Sequence, residues 1–220
     1  MKNNERTELV FLLDRSGSMS GLEADTIGGY NAMLKRQKEQ EGQVTVTTVL
    51  FDDRYELLHD RVPLTDLEPI TERDYYVRGC TALLDAMGRT IEKIDNAQRH
   101  IAPDKRADKV LFVITTDGME NASRRYRSGD VKRLVERMKE AHGWEFLFLG
   151  ANIDAIAAAA RMGIREDRAV DYHADSEGTE LNFRVVSDVI SHFRAPCSAP
   201  LGREWKAEIE ADHKNRKARR

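Results

Sequence analysis

Three short segments place oxygen-bearing side chains beside turn-forming glycines. Asp14-Arg15-Ser16-Gly17-Ser18 sets a carboxylate and two hydroxyls at alternate positions, with Gly17 permitting a tight backbone turn. Arg78-Gly79-Cys80-Thr81-Ala82-Leu83 puts a threonine where a helix should begin, and Thr115-Thr116-Asp117-Gly118 ends an apolar run on an acid. Taken singly, such residues have an ordinary role as helix caps and turns. Taken together, Asp14, Ser16, Ser18, Thr81 and Asp117 make two carboxylates and three hydroxyls. That all-oxygen set suits a hard divalent cation, Mg²⁺ first, with Mn²⁺ or Ca²⁺ as alternatives, and offers zinc or copper neither thiolate nor imidazole.

These segments can converge only if a sheet brings their strands side by side. Short apolar runs alternate with amphipathic stretches along the chain, the pattern of a mostly parallel sheet covered by helices on both faces. Strands are expected at 8–13, 44–51, 55–59, 109–115, 145–149 and 169–172, and helices at 21–40, 82–98, 130–142, 153–162 and 179–193. Asp52-Asp53 is expected to turn the second strand into an antiparallel third at one edge. The fold class is thus α/β, three-layered and doubly wound, with six strands of which one edge strand is antiparallel. In an open parallel sheet ligands sit outside the carboxyl ends of the strands, where the loops after Leu13, Thr115 and Leu149 lie.

Several neighbours of the three segments allow two readings. Asp85, one helical turn after Thr81, is a candidate to orient the Thr81 loop, although an acid in a first helical turn is favourable by itself. Gly118, Glu120, Asn121, Asn152, Asp154 and Asp175 follow strands on the same face and form a candidate rim that selects partners, with capping and turn formation as the alternative. Arg124, Arg125 and Arg127 follow Asp117 and are either an attractor for an acidic partner or a solvated turn. Gly28 and Gly29, each costing roughly 1 kcal/mol relative to Ala inside a helix, imply close packing against that helix.

Composition removes other classes. The chain has 220 residues, 35 Lys and Arg against 38 Asp and Glu, and 40% hydrophobic residues, enough for a real core. The longest apolar runs, at 9–13, 110–114 and 155–160, fall far short of the ~18 residues of a membrane-spanning helix, and Asp14 and Arg15 interrupt any secretory h-region. Cys80 and Cys197 lack metal-ligand spacing and are expected as free thiols of a cytoplasmic protein. From Arg203 to Arg220, seven basic against four acidic residues give +3 and leave a body of −6 within the net −3. A basic tail on an acidic body leaves nucleic-acid association as an alternative function only through that tail.

The DRSGS pentad, with Thr81 and Asp117, resembles the metal-ion-dependent adhesion site of von Willebrand factor A domains, and the resemblance spans roughly residues 5–194. Lacking a secretion signal and a disulfide framework, the chain looks most like compact intracellular bacterial or phage members. The resemblance implies a domain over 1–194, with 195–220 as a basic extension, tail or marginal helix. It implies Asp14, Ser16, Ser18, Thr81 and Asp117 as metal-site residues, and a protein partner whose Asp or Glu completes the metal shell. A Mg-dependent hydrolase or phosphate-binding enzyme is the other alternative, disfavoured because none of the six histidines lies in the three segments; no enzymatic activity is expected.

Overall fold

In strand β1 (Arg6–Asp14) successive side chains serve two different cores. Leu9, Phe11 and Leu13 join one, Val10 and Leu12 the other, and all five are fully buried. A strand apolar on both faces can only be central, covered from both sides. The computed structural model describes residues 5–217 and places β1 third in a six-stranded sheet of order β3-β2-β1-β4-β5-β6. The other strands are β2 (Gln43–Phe51), β3 (Tyr55–Pro63), β4 (Lys109–Thr116), β5 (Glu145–Ala151) and β6 (Ala169–Tyr172). Only the β2–β3 pairing is antiparallel, and the Asp52-Asp53 turn joins the two at the edge.

Helices α1 (Glu23–Lys38) and α5 (Ser176–Arg194) cover one face, where Tyr30, Met33, Phe183 and Ile190 pack. Helices α2 (Leu83–His100), α3 (Ser128–His142) and α4 (Ala155–Arg161) cover the other with Met87, Ile91, Val135 and Ala159. This is the doubly wound three-layer arrangement expected from the sequence. The Phe183 ring of α5 sits where a Cβ on Gly29 would stand, so α1 and α5 approach closely there, whereas the space beside Gly28 is open. Helix α5 begins three residues before the sequence reading because Asp175 caps it, accepting from the Gly178 N–H at 2.9 Å.

The chain beyond residue 194 is also built into the molecule. Helix α6 (Ala207–Lys217) contributes Ile209 to the α1/α5 core. Just before it, the fully buried Lys206 donates from Nζ to the carbonyls of Glu166 and Ala169, both at 2.8 Å. Residues 218–220, the end of the basic tail, lie outside the described residues. Cys80 and Cys197 are exposed free thiols. No helix among the described residues is long and apolar enough to cross a membrane.

Candidate metal centre

Because β1, β4 and β5 run parallel, Asp14 at the end of β1, Asp117 after β4 and Asn152 after β5 emerge at one end of the sheet. Asp14 is fixed from two sides: its Oδ1 accepts the Ser16 N–H at 2.7 Å and its Oδ2 the Thr116 hydroxyl at 2.5 Å. The Thr81 hydroxyl donates to Ser16 Oγ at 3.0 Å, and Ser16 Oγ lies 3.1 Å from Ser18 Oγ. A Cβ built on Gly118 would stand 3.0 Å from Ser18 Oγ and 3.5 Å from Thr81 Oγ1, so the Asp117-Gly118 turn closes on the same hydroxyls. Asp14, Ser16, Thr81 and Asp117 are buried, and Ser18 opens to solvent.

The two acids are electrostatically uncomfortable. Burial pushes the Asp14 carboxyl above its usual range, only partly offset by Thr116 and Ser16. Burial likewise pushes Asp117 up to about 6; a hydrogen bond from Asn152 Nδ2 opposes the shift and the nearby Asp14 charge adds to it. No Arg or Lys among the described residues forms an ion pair with either acid. Buried carboxylates normally have a cationic or metal partner, so this donor set fits a divalent cation: two acids lacking a counter-charge, beside three neutral hydroxyls.

A ring of contacts that the sequence reading did not assign holds the loops together. The Arg15 N–H donates to the Phe51 carbonyl and the Arg78 N–H to the Arg15 carbonyl, both at 2.8 Å, while the Gly17 N–H reaches the Gly79 carbonyl at 3.1 Å. Gly79 has φ +67°, and the Asp53 carboxylate stands where a Cβ would be, so glycine is strongly favoured there. Asp52, fully buried, accepts from Arg15 Nε at 2.9 Å and Arg78 Nε at 2.7 Å. Burial alone would raise its pKa, but Arg78, the Arg54 N–H and Arg15 outweigh it and hold the carboxyl below the usual range. Tyr75 donates its hydroxyl to the Asp14 carbonyl at 2.5 Å. These partners are far apart in sequence, and no local pattern pointed to them.

The rim candidates divide by what their side chains hold. Asn121 is an anchor of the Thr81 loop: its Oδ1 accepts the Thr81 N–H at 2.9 Å and its own N–H donates to the Thr81 carbonyl at 3.0 Å. Asn152, at φ +54°, touches Asp117 directly. Glu120 caps α2, accepting from the N–H groups of Leu84, Ala122 and Ser123. Asp85 accepts from the N–H groups of Arg124, Arg125 and Tyr126, tying the loop after Asp117 to α2. Asp154 caps α4, and Asp175 caps α5 and pairs with Arg216 at 2.7 Å.

An open sheet of this order with such loops at its carboxyl end is the von Willebrand factor A fold. The chain is similar to proximal thread matrix protein 1 from the mussel byssus, at 12% identity and a TM-score of 0.56 over 85% of this chain and 46% of that one. It is similar to a von Willebrand factor type A structure from Catenulispora acidiphila, at 12% identity and 0.55 over 84% and 42%. It is also similar to VWA2, the ArnB paralog of Sulfolobus acidocaldarius, at 19% identity and 0.52 over 83% and 45%. The chain thus spans less than half the length of these structures, and at such identities the likeness is one of fold. One structure of the mussel protein has a zinc-occupied MIDAS motif, the metal-ion-dependent adhesion site. No family model and no curated protein matches the sequence.

Proposed function

We propose that the chain is a cation-dependent protein-interaction module in which Asp14, Ser16, Ser18, Thr81 and Asp117 hold one divalent cation. One observation carries the reading: two buried carboxylates with no basic side chain paired to them stand beside three converging hydroxyls. When bound, the cation supplies a Lewis-acidic position whose water a carboxylate oxygen can replace. The chain's own residues prepare that position. Thr116 and the Ser16 N–H orient Asp14, Thr81 orients the Ser16 hydroxyl, and exposed Ser18 marks the open side.

Two acids against a charge of +2 leave no spare negative charge, so the remaining attraction is for an anionic oxygen from outside. The partner is therefore a protein offering Asp or Glu, and the site binds without chemistry, since none of the six histidines lies in the segments that build it. Mg²⁺ is the expected occupant, with Mn²⁺ or Ca²⁺ next; the zinc in the mussel protein's motif adds Zn²⁺ as a competitor to test. The protein is proposed to work in the cytoplasm.

Isothermal titration calorimetry of the purified chain should show uptake of about one Mg²⁺, abolished in Asp14→Ala. Ser18→Ala removes an exposed hydroxyl without touching the core, and should weaken uptake about tenfold or more. Undiminished Mg²⁺ binding in both variants would remove the assignment.

A further inference from the structure

Two large apolar side chains are exposed among the described residues, Tyr76 at 43% and Met119 at 73%, and both stand on loops that carry candidate site residues. Tyr76 has local company: the guanidiniums of Arg15 and Arg78 each lie 5.3 Å from its ring centroid. Met119 forms a wall of a groove of about 410 Å³ whose other apolar walls are Leu83, Leu84, Ile153 and Met162. The groove begins at Gly118, the residue that also borders the Ser18 and Thr81 hydroxyls. Groove and candidate metal centre therefore share an edge. A methionine left so exposed gains little from folding, and its flexible, polarizable thioether suits a surface that moulds to an incoming side chain.

The charges around the groove select further. Its two acids already accept from backbone: Glu120 from the Leu84 N–H at the start of α2 and from the Ala122 and Ser123 N–H groups of its own loop, and Asp154 from the Ala157 N–H at 2.8 Å. Arg161, which also lines the groove, is exposed, and its guanidinium has no ion pair or hydrogen bond among the described residues. Among those residues Arg161 is thus the groove's one basic side chain, and it is free to meet an acid from outside.

We propose that this groove receives a large apolar side chain of the same partner segment whose carboxylate reaches the cation. The inference rests on the cation-dependent reading above and gives it a partner chemistry. The occupant is a linear protein segment bearing an Asp or Glu, a Leu, Met or Phe close to it, and a further acid that meets Arg161. The carboxylate supplies cation dependence, and the apolar residue distinguishes the true partner from the many acids on any protein surface.

A phage-displayed library of random linear peptides, panned on the full chain in Mg²⁺ and eluted with EDTA, tests this. The eluted clones should share an acid with a neighbouring large apolar residue. Synthetic peptides made from them should bind Met119→Ser about tenfold or more weakly than wild type, and Arg161→Glu more weakly too, while both variants keep wild-type Mg²⁺ uptake by calorimetry. Both changes are at exposed positions and leave the fold intact. EDTA-eluted peptides that share only an acid, and bind Met119→Ser as tightly as wild type, overturn the groove proposal while the cation reading stands. Clones that stay bound through EDTA and leave only in acid, and whose peptides are lost with Met119→Ser, overturn the cation reading and leave the groove as the docking surface. A library that yields no binder by either route overturns both.

Discussion

Asp117 shows how the cost of the candidate centre is distributed. Its folded pKa of about 6 lies above the ordinary 3.8, chiefly through burial. The group therefore favours folding below the ordinary value, and that contribution is lost as pH rises through about 6; near neutrality, without a cation, the ionised carboxylate works against the fold. Asn at this position keeps an acceptor for Asn152 and removes the charge. In EDTA near neutral pH, Asp117→Asn should melt above wild type, with the gap closing as pH falls below about 6. Added Mg²⁺ should reverse the order, because only the wild type gains from binding. Scanning fluorimetry in both buffers checks this, and a wild type that already melts higher in EDTA contradicts it. The five proposed ligands could be read from the sequence because their types and order are themselves the chemistry. Thr116 sat in plain view within Thr115-Thr116-Asp117-Gly118, yet its bond to Asp14 depends on how β1 and β4 align, which no local pattern encodes.

The turn between β2 and β3 has a second task besides joining two strands. Through Asp52 it grips Arg15 of the DRSGS loop and Arg78 of the Thr81 loop, fixing both to one edge of the sheet. Arg15 is fully buried and pairs with Asp52 at 2.9 Å and with Glu56 at 2.6 Å, so losing Asp52 removes one of its two acids and one of its charge-assisted hydrogen bonds. Asp52→Ala should therefore cost about 2 kcal/mol in urea unfolding and weaken Mg²⁺ uptake, although Asp52 is not proposed to touch the cation. A variant as stable as wild type with unchanged uptake would show that the turn merely connects strands. The turn was legible from Asp52-Asp53 and the apolar runs on either side; its clamp was not, since it joins residues 15, 52 and 78. The strands and most helices were legible for the same reason, that apolar runs and amphipathic stretches are local. The packing of the C-terminal segment was not, because its anchor is Lys206, a residue type that normally marks solvent, buried here by two carbonyl acceptors.

Across the whole molecule, the features that hold the fold and those proposed to bind are kept apart. Two apolar cores hold the sheet between its helices, and the exposed large apolar side chains, the uncompensated acids and the open hydroxyl all gather at the carboxyl end of the strands. The von Willebrand factor A fold supplies that division, with packed strands carrying the loops at their carboxyl end. The central claim is that the cation belongs where Asp14, Ser16, Ser18, Thr81 and Asp117 meet. Crystals grown with Mn²⁺ and measured at the manganese absorption edge test it without any partner in hand. The account predicts a dominant anomalous peak bounded by these five side chains, with oxygen neighbours only. A peak at another place on the chain, with none between Asp14 and Ser18, would contradict it.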